Sequence, residues 1–482
     1  MRRRTFIFFA GSLAALLALA VLPGAVAAAA GSSATTATVV SVSCPSSGSC
    51  AAGGYSTDAS DTVHAFVLSE RSGRWGRAAR VPGLKALSPH NSEVSSVSCG
   101  SAGNCAAGGF YEDASFRSHP FVATERNGRW AKATEVSGAH ALKATQLYSV
   151  SCPAPGSCVA TGGLLGYVVS ERNGRWGRAI PIPGLASLNK GGGPTVGLSV
   201  SCASAGNCAV AGTYEPKTLS GLSVFVVSER NGRWGHATAV PGLAALDWGQ
   251  YAGLPSVSCG SAGNCAVGGI YRDASFTEQA FVAAERNGRW GQAIEVPGTA
   301  ALSRGGSASV LSVSCAPAGN CAAGGQYARG SSQCDQGSSS PQNCEAFVVS
   351  EKNGHWAKAI EVPGTATRNV GGIASVFSVS CASGGDCAAG GAYAPVVGGA
   401  QVAFVVSERG GRWTKAIEVP GLAPLDTARE SATNSVSCSS AGTCAAGGEY
   451  TPEPAECPTS PCPAFVASAK HGVWGRAQTV RF

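Results

Sequence analysis

Eight copies of one motif fill almost the whole chain, and this repetition limits the fold more than any other feature. One copy reads Ser-Val-Ser-Cys, five residues, Cys-Ala-Ala-Gly-Gly, a variable stretch, Ala-Phe-Val-Val-Ser-Glu-Arg-Asn-Gly-Arg-Trp and then Val-Pro-Gly. The first cysteine recurs every 50 to 66 residues, and the matching tryptophans are Trp75, Trp130, Trp176, Trp234, Trp290, Trp356, Trp413 and Trp474. Two independent markers thus give eight units.

Each unit holds four short β segments, which in the first are Val40–Cys44, Cys50–Tyr55, His64–Glu70 and Trp75–Val81, with Gly, Pro and Ser between them. No part of the unit has helical periodicity. Four strands at a period in the fifties predict an all-β chain: one eight-bladed β-propeller over residues 38–482, with four antiparallel strands per blade. Asn127-Gly128, Asn173-Gly174, Asn231-Gly232, Asn287-Gly288 and Asn353-Gly354 predict type I′ turns between third and fourth strands. Ser72-Gly73, Gly410-Gly411 and His471-Gly472 stand in their place elsewhere. Arg129, Lys132 and their equivalents then fall on the outermost strand, where charge discourages edge-to-edge pairing. That role is sufficient, and no ligand is assigned to them.

Ahead of the repeats, Arg2, Arg3 and Arg4 precede an apolar run from Phe6 to Leu22. Pro23-Gly24 then breaks it before Ala25-Val26-Ala27. This pattern predicts a signal peptide over 1–27 and a short tail over 28–37. The mature protein is expected to be secreted and extracellular, with no membrane insertion. An even cysteine count in an exported chain reads as a disulfide framework. Sixteen cysteines form Cys-x5-Cys pairs, one per blade: Cys44–Cys50, Cys99–Cys105, Cys152–Cys158, Cys202–Cys208, Cys259–Cys265, Cys315–Cys321, Cys381–Cys387 and Cys438–Cys444. Each pair faces itself across the first hairpin. Cys334–Cys344 and Cys457–Cys462 account for the remainder. Zinc would want Cys-x2-Cys spacing with histidine, so no metal and no cofactor is expected.

Without Arg2–Arg4 the charges stand at about 32 basic against 28 acidic, a poor basis for binding nucleic acid. In an up-and-down blade the first-to-second and third-to-fourth turns share one face. The second-to-third loops and inter-blade connections share the other. All length variation falls on that second face, where the loops of blades six and eight also carry the extra cysteines. Asp247, Trp248 and Tyr251 lie in a connection off the repeat pattern. Tyr111, Asp113 and Phe116 of blade two reappear as Tyr271, Asp273 and Phe276 of blade five. An aromatic plane beside a carboxylate suits a sugar. These nine residues are the expected ligand site, although Tyr214, Tyr327, Tyr393 and Tyr450 also place Tyr111 and Tyr271 as packing residues.

Catalysis is not expected. The seven histidines occupy unrelated repeat positions, and there is no Gly-x-Ser-x-Gly, His-Glu-x-x-His or phosphate loop. Ser-Glu-Arg-Asn-Gly-Arg-Trp loosely echoes the turn motif of sialidase-type propellers without its Asp. A glycosidase carboxylate pair involving Asp113 or Asp247 stays open.

The Ser-Val-Ser-Cys, Cys-Ala-Ala-Gly-Gly and Gly-Arg-Trp repeat resembles secreted propellers of filamentous actinobacteria, and in particular the propeller lectin subunit of umbrella toxin particles. The resemblance covers the mature chain and carries over no site residue. It implies an extracellular antibacterial particle in which the propeller recognises target-cell glycans and an adaptor subunit tethers it. A protein-binding propeller, such as an exported enzyme inhibitor, is the alternative.

Overall fold

The computed structural model describes residues 36–482 apart from 218–220, 318, 331–333, 335–342, 383–384, 398–400 and 453–462. The signal sequence and the Cys457–Cys462 pair lie outside the described residues.

In blade one, β1 (Thr36–Ser46), β2 (Ser49–Thr57) and β3 (Val63–Arg71) run antiparallel from the centre outward. The fourth strand is broken into β4 (Arg74–Trp75) and β5 (Ala79–Arg80), both paired to β3. The other seven blades repeat this order, giving eight blades of four antiparallel strands. The first strand starts at Thr36, inside the stretch read as a tail. The last strand pair, Val473–Trp474 and Gln478–Thr479, completes blade eight, so no blade mixes strands from both ends of the chain.

The repeat motif is explained by contacts between blades. An innermost strand leaves backbone N–H groups without a ladder partner, and such groups are costly when buried. The two serines of Ser-Val-Ser-Cys supply acceptors to the next blade: Val97 N donates to Ser41 Oγ and Cys99 N to Ser43 Oγ, each at 3.0 Å. Blade eight closes on blade one in the same way, through Val42 N to Ser435 Oγ and Cys44 N to Ser437 Oγ at 2.9 Å. The Gly-Gly of the second strand is steric in origin. A Cβ at Gly53 would crowd Val94 and Val97 of blade two, and one at Gly54 would overlap the Thr38 carbonyl oxygen. Behind them sit eight aromatic rings, Phe66, Phe121, Tyr167, Phe225, Phe281, Phe347, Phe404 and Phe465, all fully buried. Each core cluster draws on two neighbouring blades, so no blade buries its apolar faces alone.

All eight Cys-x5-Cys disulfides are formed, with Cα–Cα distances from 3.9 to 4.1 Å, and Cys334–Cys344 is formed at 5.7 Å. They fit an oxidising, extracellular setting. Among the described residues no helix is long and apolar enough to cross a membrane. The connections do contain helical turns that the sequence reading lacked, such as Leu84–Leu87 and Leu243–Leu246. Each is a single turn, too short to show a 3.6-residue period.

Candidate functional site

The two faces are wired differently. On the hairpin face, Gly73 N donates to the Gly48 carbonyl at 2.9 Å, tying the outer turn to the inner one, and blade two repeats this with Gly128 and Gly103. The Ser-Glu-Arg-x-Gly-Arg-Trp segment links neighbouring blades. Ser69 Oγ donates to Glu125 of blade two at 2.8 Å and accepts Trp130 Nε1 at 3.3 Å. Arg71 adds a bond to the Gly128 carbonyl, with Glu125 at 3.8 Å. Burial pushes the Glu125 carboxyl above the usual range, opposed by Ser69 and Arg71. This segment is therefore inter-blade structure, and its likeness to a sialidase turn carries no chemistry.

The opposite face displays side chains. Asp113-Ala114-Ser115-Phe116 in blade two and Asp273-Ala274-Ser275-Phe276 in blade five form the same closed loop. Asp113 Oδ1 accepts Ser115 N at 2.8 Å and Arg117 N at 3.0 Å, and Oδ2 pairs with His119 Nε2 at 3.0 Å. The Arg117 amide and His119 hold the carboxyl down at about 2. Asp273 binds Ser275 N, Thr277 N and Gln279 Nε2 in the same fashion. Both carboxylates are thus engaged by their own loops. What the loops present is the fourth residue. Phe116 (φ 58°) and Phe276 (φ 59°) sit in the left-handed region, each 68 % exposed. A bulky side chain there is a genuine outlier, costing on the order of 1–3 kcal/mol. Phe116 also stacks on His90 at 3.7 Å between centroids, forming a two-ring slab.

Asp247 is likewise a structural residue, and it is not off the repeat pattern. It caps the turn Leu243–Leu246 and accepts Tyr251 N and Arg272 N at 3.0 and 3.1 Å. Asn369 and Asp426 hold the same position and take the same two kinds of amide. Its neighbour Trp248 is 71 % exposed. Tyr251 lies beneath Arg272, whose guanidinium stands 4.4 Å from the ring centroid and 3.2 Å from Glu278.

Tyr111 and Tyr271 are buried, with hydroxyls donating to Glu135 and Glu295 at 3.2 and 3.3 Å. Tyr327 and Tyr393 repeat the contact with Glu361 and Glu418, both at 2.8 Å. The structure places Tyr111 and Tyr271 as buried packing residues, 4 % and 3 % exposed. The nine expected residues reduce to an exposed set, Trp248, Phe116 and Phe276, held by buried supports. Sequence reading missed a cleft of about 500 Å³ on blade seven, bounded by Arg368, Val370, Tyr393, Pro395, Ile417 and Glu418. The adjoining Val396 and Val397, both exposed, were its sequence signal. Among the described residues no group of three or more His, Cys, Asp or Glu is placed to hold a metal ion.

No protein-family model matches the chain, and no curated protein matches it. Solved structures with a similar chain path do exist. A polysaccharide lyase of the ulvan lyase family is 9 % identical over 68 % of this chain and 82 % of its own, with a TM-score of 0.39. A Hadza microbial sialidase is 8 % identical over 87 % and 73 %, with a TM-score of 0.34. A prolyl endopeptidase is 11 % identical over 90 % and 54 %, with a TM-score of 0.42. All three are enzymes, which runs against the expectation that this chain catalyses nothing. At such identity the likeness reaches the fold alone and assigns no reaction or residue.

Proposed function

We propose that the loop face is a carbohydrate-binding surface that recognises a cell-surface glycan in lectin-like fashion. The observation that carries this reading is the pair of phenylalanines held in left-handed backbone at loop tips, together with Trp248 on the same face. Aromatic faces stack on sugar C–H groups, and the polar groups around them, such as Arg272 and Glu278, take hydroxyls. In the finer form of the proposal, the protein serves as the recognition subunit of an extracellular antibacterial toxin particle, tethered by an adaptor subunit, as the repeat resemblance implies.

A glycan array followed by titration calorimetry tests the reading, with released sugar measured in the same samples to detect turnover. Trp248→Ala should leave thermal unfolding unchanged and weaken binding by about 2 kcal/mol, the cost of losing an interface anchor. Arg129→Glu with Arg233→Glu, on the opposite face, should leave glycan binding unchanged. The reverse pattern would move the working surface to the hairpin side. The exposed valines of blade seven, Val370, Val396 and Val397, favour a second reading in which this face grips a protein. A tight one-to-one protein complex with no glycan signal would select it.

A further inference from the structure

Charge on this molecule is segregated, and the carbohydrate reading of the loop face does not use the segregation. Each blade has three positions around its outer hairpin: the residue before the turn, the residue after it, and the second residue past the tryptophan. Across eight blades these 24 positions hold 20 Lys or Arg and no acid. The only acids on this face are seven glutamates of the Ser-Glu-Arg motif, each at most 3 % exposed, and Asp386, which accepts Gly410 N at 3.1 Å. The remainder of the chain beyond Arg2–Arg4 carries 12 cations against 20 acids. The net charge is therefore +12 on the hairpin belt and −8 elsewhere.

In six blades the first cation is an arginine that is partly committed, as in Arg286 to Glu351 at 2.7 Å. The second is not. Arg74, Arg129, Arg175, Arg233, Arg289 and Arg412 are exposed, and their side chains make no hydrogen bond or ion pair with any described residue. Protecting a sheet edge requires charge but not one sign of it, and glutamate would serve as well as arginine. A one-sign ring instead costs stability through self-repulsion and creates a positive field. Inside the ring, the Cys-x5-Cys loops are built of Gly, Ser, Ala, Pro, Asn and Thr with the single acid Asp386, and contain no aromatic residue. The eight tryptophans beside the arginines are at least partly buried, and Trp75 and Trp130 are tied to serines at 3.1 and 3.3 Å. Among the described residues the surface thus offers many guanidinium and ammonium groups and no exposed platform for stacking bases.

We propose that the hairpin face binds a linear anionic polysaccharide, one whose repeat units carry carboxylate, sulfate or phosphate ester groups. Arginine forks suit such groups, and a closed ring lets a polymer engage several blades at once. The molecule would then hold an anionic matrix on one face while the other face stays free.

The test uses the purified protein on immobilised alginate and dextran sulfate, with neutral dextran and duplex DNA as comparisons, across an NaCl series. Retention on both charged polysaccharides, reversed by salt and absent on dextran, is expected. Replacing Arg74, Arg129, Arg175, Arg233, Arg289 and Arg412 by Gln should weaken binding at least ten-fold without lowering the unfolding transition. Replacing six loop-face cations, Lys85, Arg117, Lys143, Lys190, Lys217 and Arg304, by Gln removes equal charge and should leave retention intact. Equal losses in the two variants, or none in the first, would overturn the assignment of the site. Duplex DNA held ten-fold tighter than either polysaccharide would overturn the class of polymer.

Discussion

Blade two holds a residue in left-handed backbone on each of its faces, and the two residues differ. At the hairpin it is Asn127, with φ 47°; at the loop tip it is Phe116, with φ 58°. Asparagine visits this region readily, because its short amide bonds locally and its Cβ clash is small. Phenylalanine does neither. The contrast recurs, with asparagine at five hairpins and phenylalanine at the loop tips of blades two and five. Hairpin residues are the ones their backbone prefers. Phe116 and Phe276 are held against that preference by an aspartate that binds the loop's own amides, whereas blade one has Asp61 at this position. Cooperation between sequence and backbone marks the scaffold, and conflict between them marks a working surface.

The largest effect should come from glycine. A Cβ at Gly325 would overlap the Ser309 carbonyl oxygen of the inner strand, and backbone there cannot yield without disturbing the ring of serine bonds. Gly325→Ala should cost about 4 kcal/mol by urea unfolding, at the severe end for one substitution. On the loop face, Gly192 has φ 78° and nothing within 4 Å of a Cβ. Gly192→Ala should cost about 1 kcal/mol, from its backbone conformation alone. Similar losses at the two sites would remove the distinction between a braced inner sheet and a loose loop rim.

Carboxyls sharpen the same contrast. Glu351 on the hairpin face receives Arg286 at 2.7 Å. The carboxyl of Glu93, on an inner strand at its loop-face end, has no hydrogen-bond partner among the described residues, and burial pushes it up to about 7. The unfolded chain gives up this proton near the ordinary value of 4.5, whereas the folded chain holds it until about 7. Stability should therefore fall as pH rises from 4.5 to 7 and level off above, by on the order of 2 kcal/mol after allowing for partial exposure. Glu345, likewise raised to about 7, adds to the same slope, so Glu93→Gln should reduce it by the Glu93 share and stabilise the protein at pH 8. Glu351→Gln should destabilise at pH 8, by about 1–2 kcal/mol. Denaturation midpoints at pH 5 and 8 would separate the two, and an unchanged slope in Glu93→Gln would remove Glu93 as a source of it.

The blades, the strand order, the closure and the hairpin disulfides were legible because a repeat states the same constraint eight times. Two kinds of information were not. The role of Ser-Val-Ser-Cys depends on contacts between blades, which no single unit contains: Ser41 has its partner 56 residues away. The exposure of each loop-face candidate was not legible because residue type does not reveal burial. Tyr111 and Phe116 are both aromatic and five residues apart, yet one is buried against Glu135 and the other projects into solvent. Asp113 looked like a ligand carboxylate because the amides that engage it belong to its own loop. The Asp-Ala-Ser sequence shared by Asp58, Asp113 and Asp273 was the available clue, since all three bind the amides two and four residues on.

The smallest expected change is the most direct test of the contrast between faces. If Phe116 is retained for contact with a ligand and against its backbone, Phe116→Asn should relieve left-handed strain and remove an exposed apolar ring. Stability should then rise by about 0.5–1 kcal/mol, as when a residue is matched to its φ. Glycan binding should fall in the same variant, because the slab with His90 is lost. The mirror substitution, Asn127→Phe, should lower stability by about 1 kcal/mol and leave glycan binding unchanged. Thermal unfolding and calorimetry on the two variants give four numbers. A destabilised Phe116→Asn would show that the ring is packed for stability, and the loop face would lose its clearest sign of a binding surface.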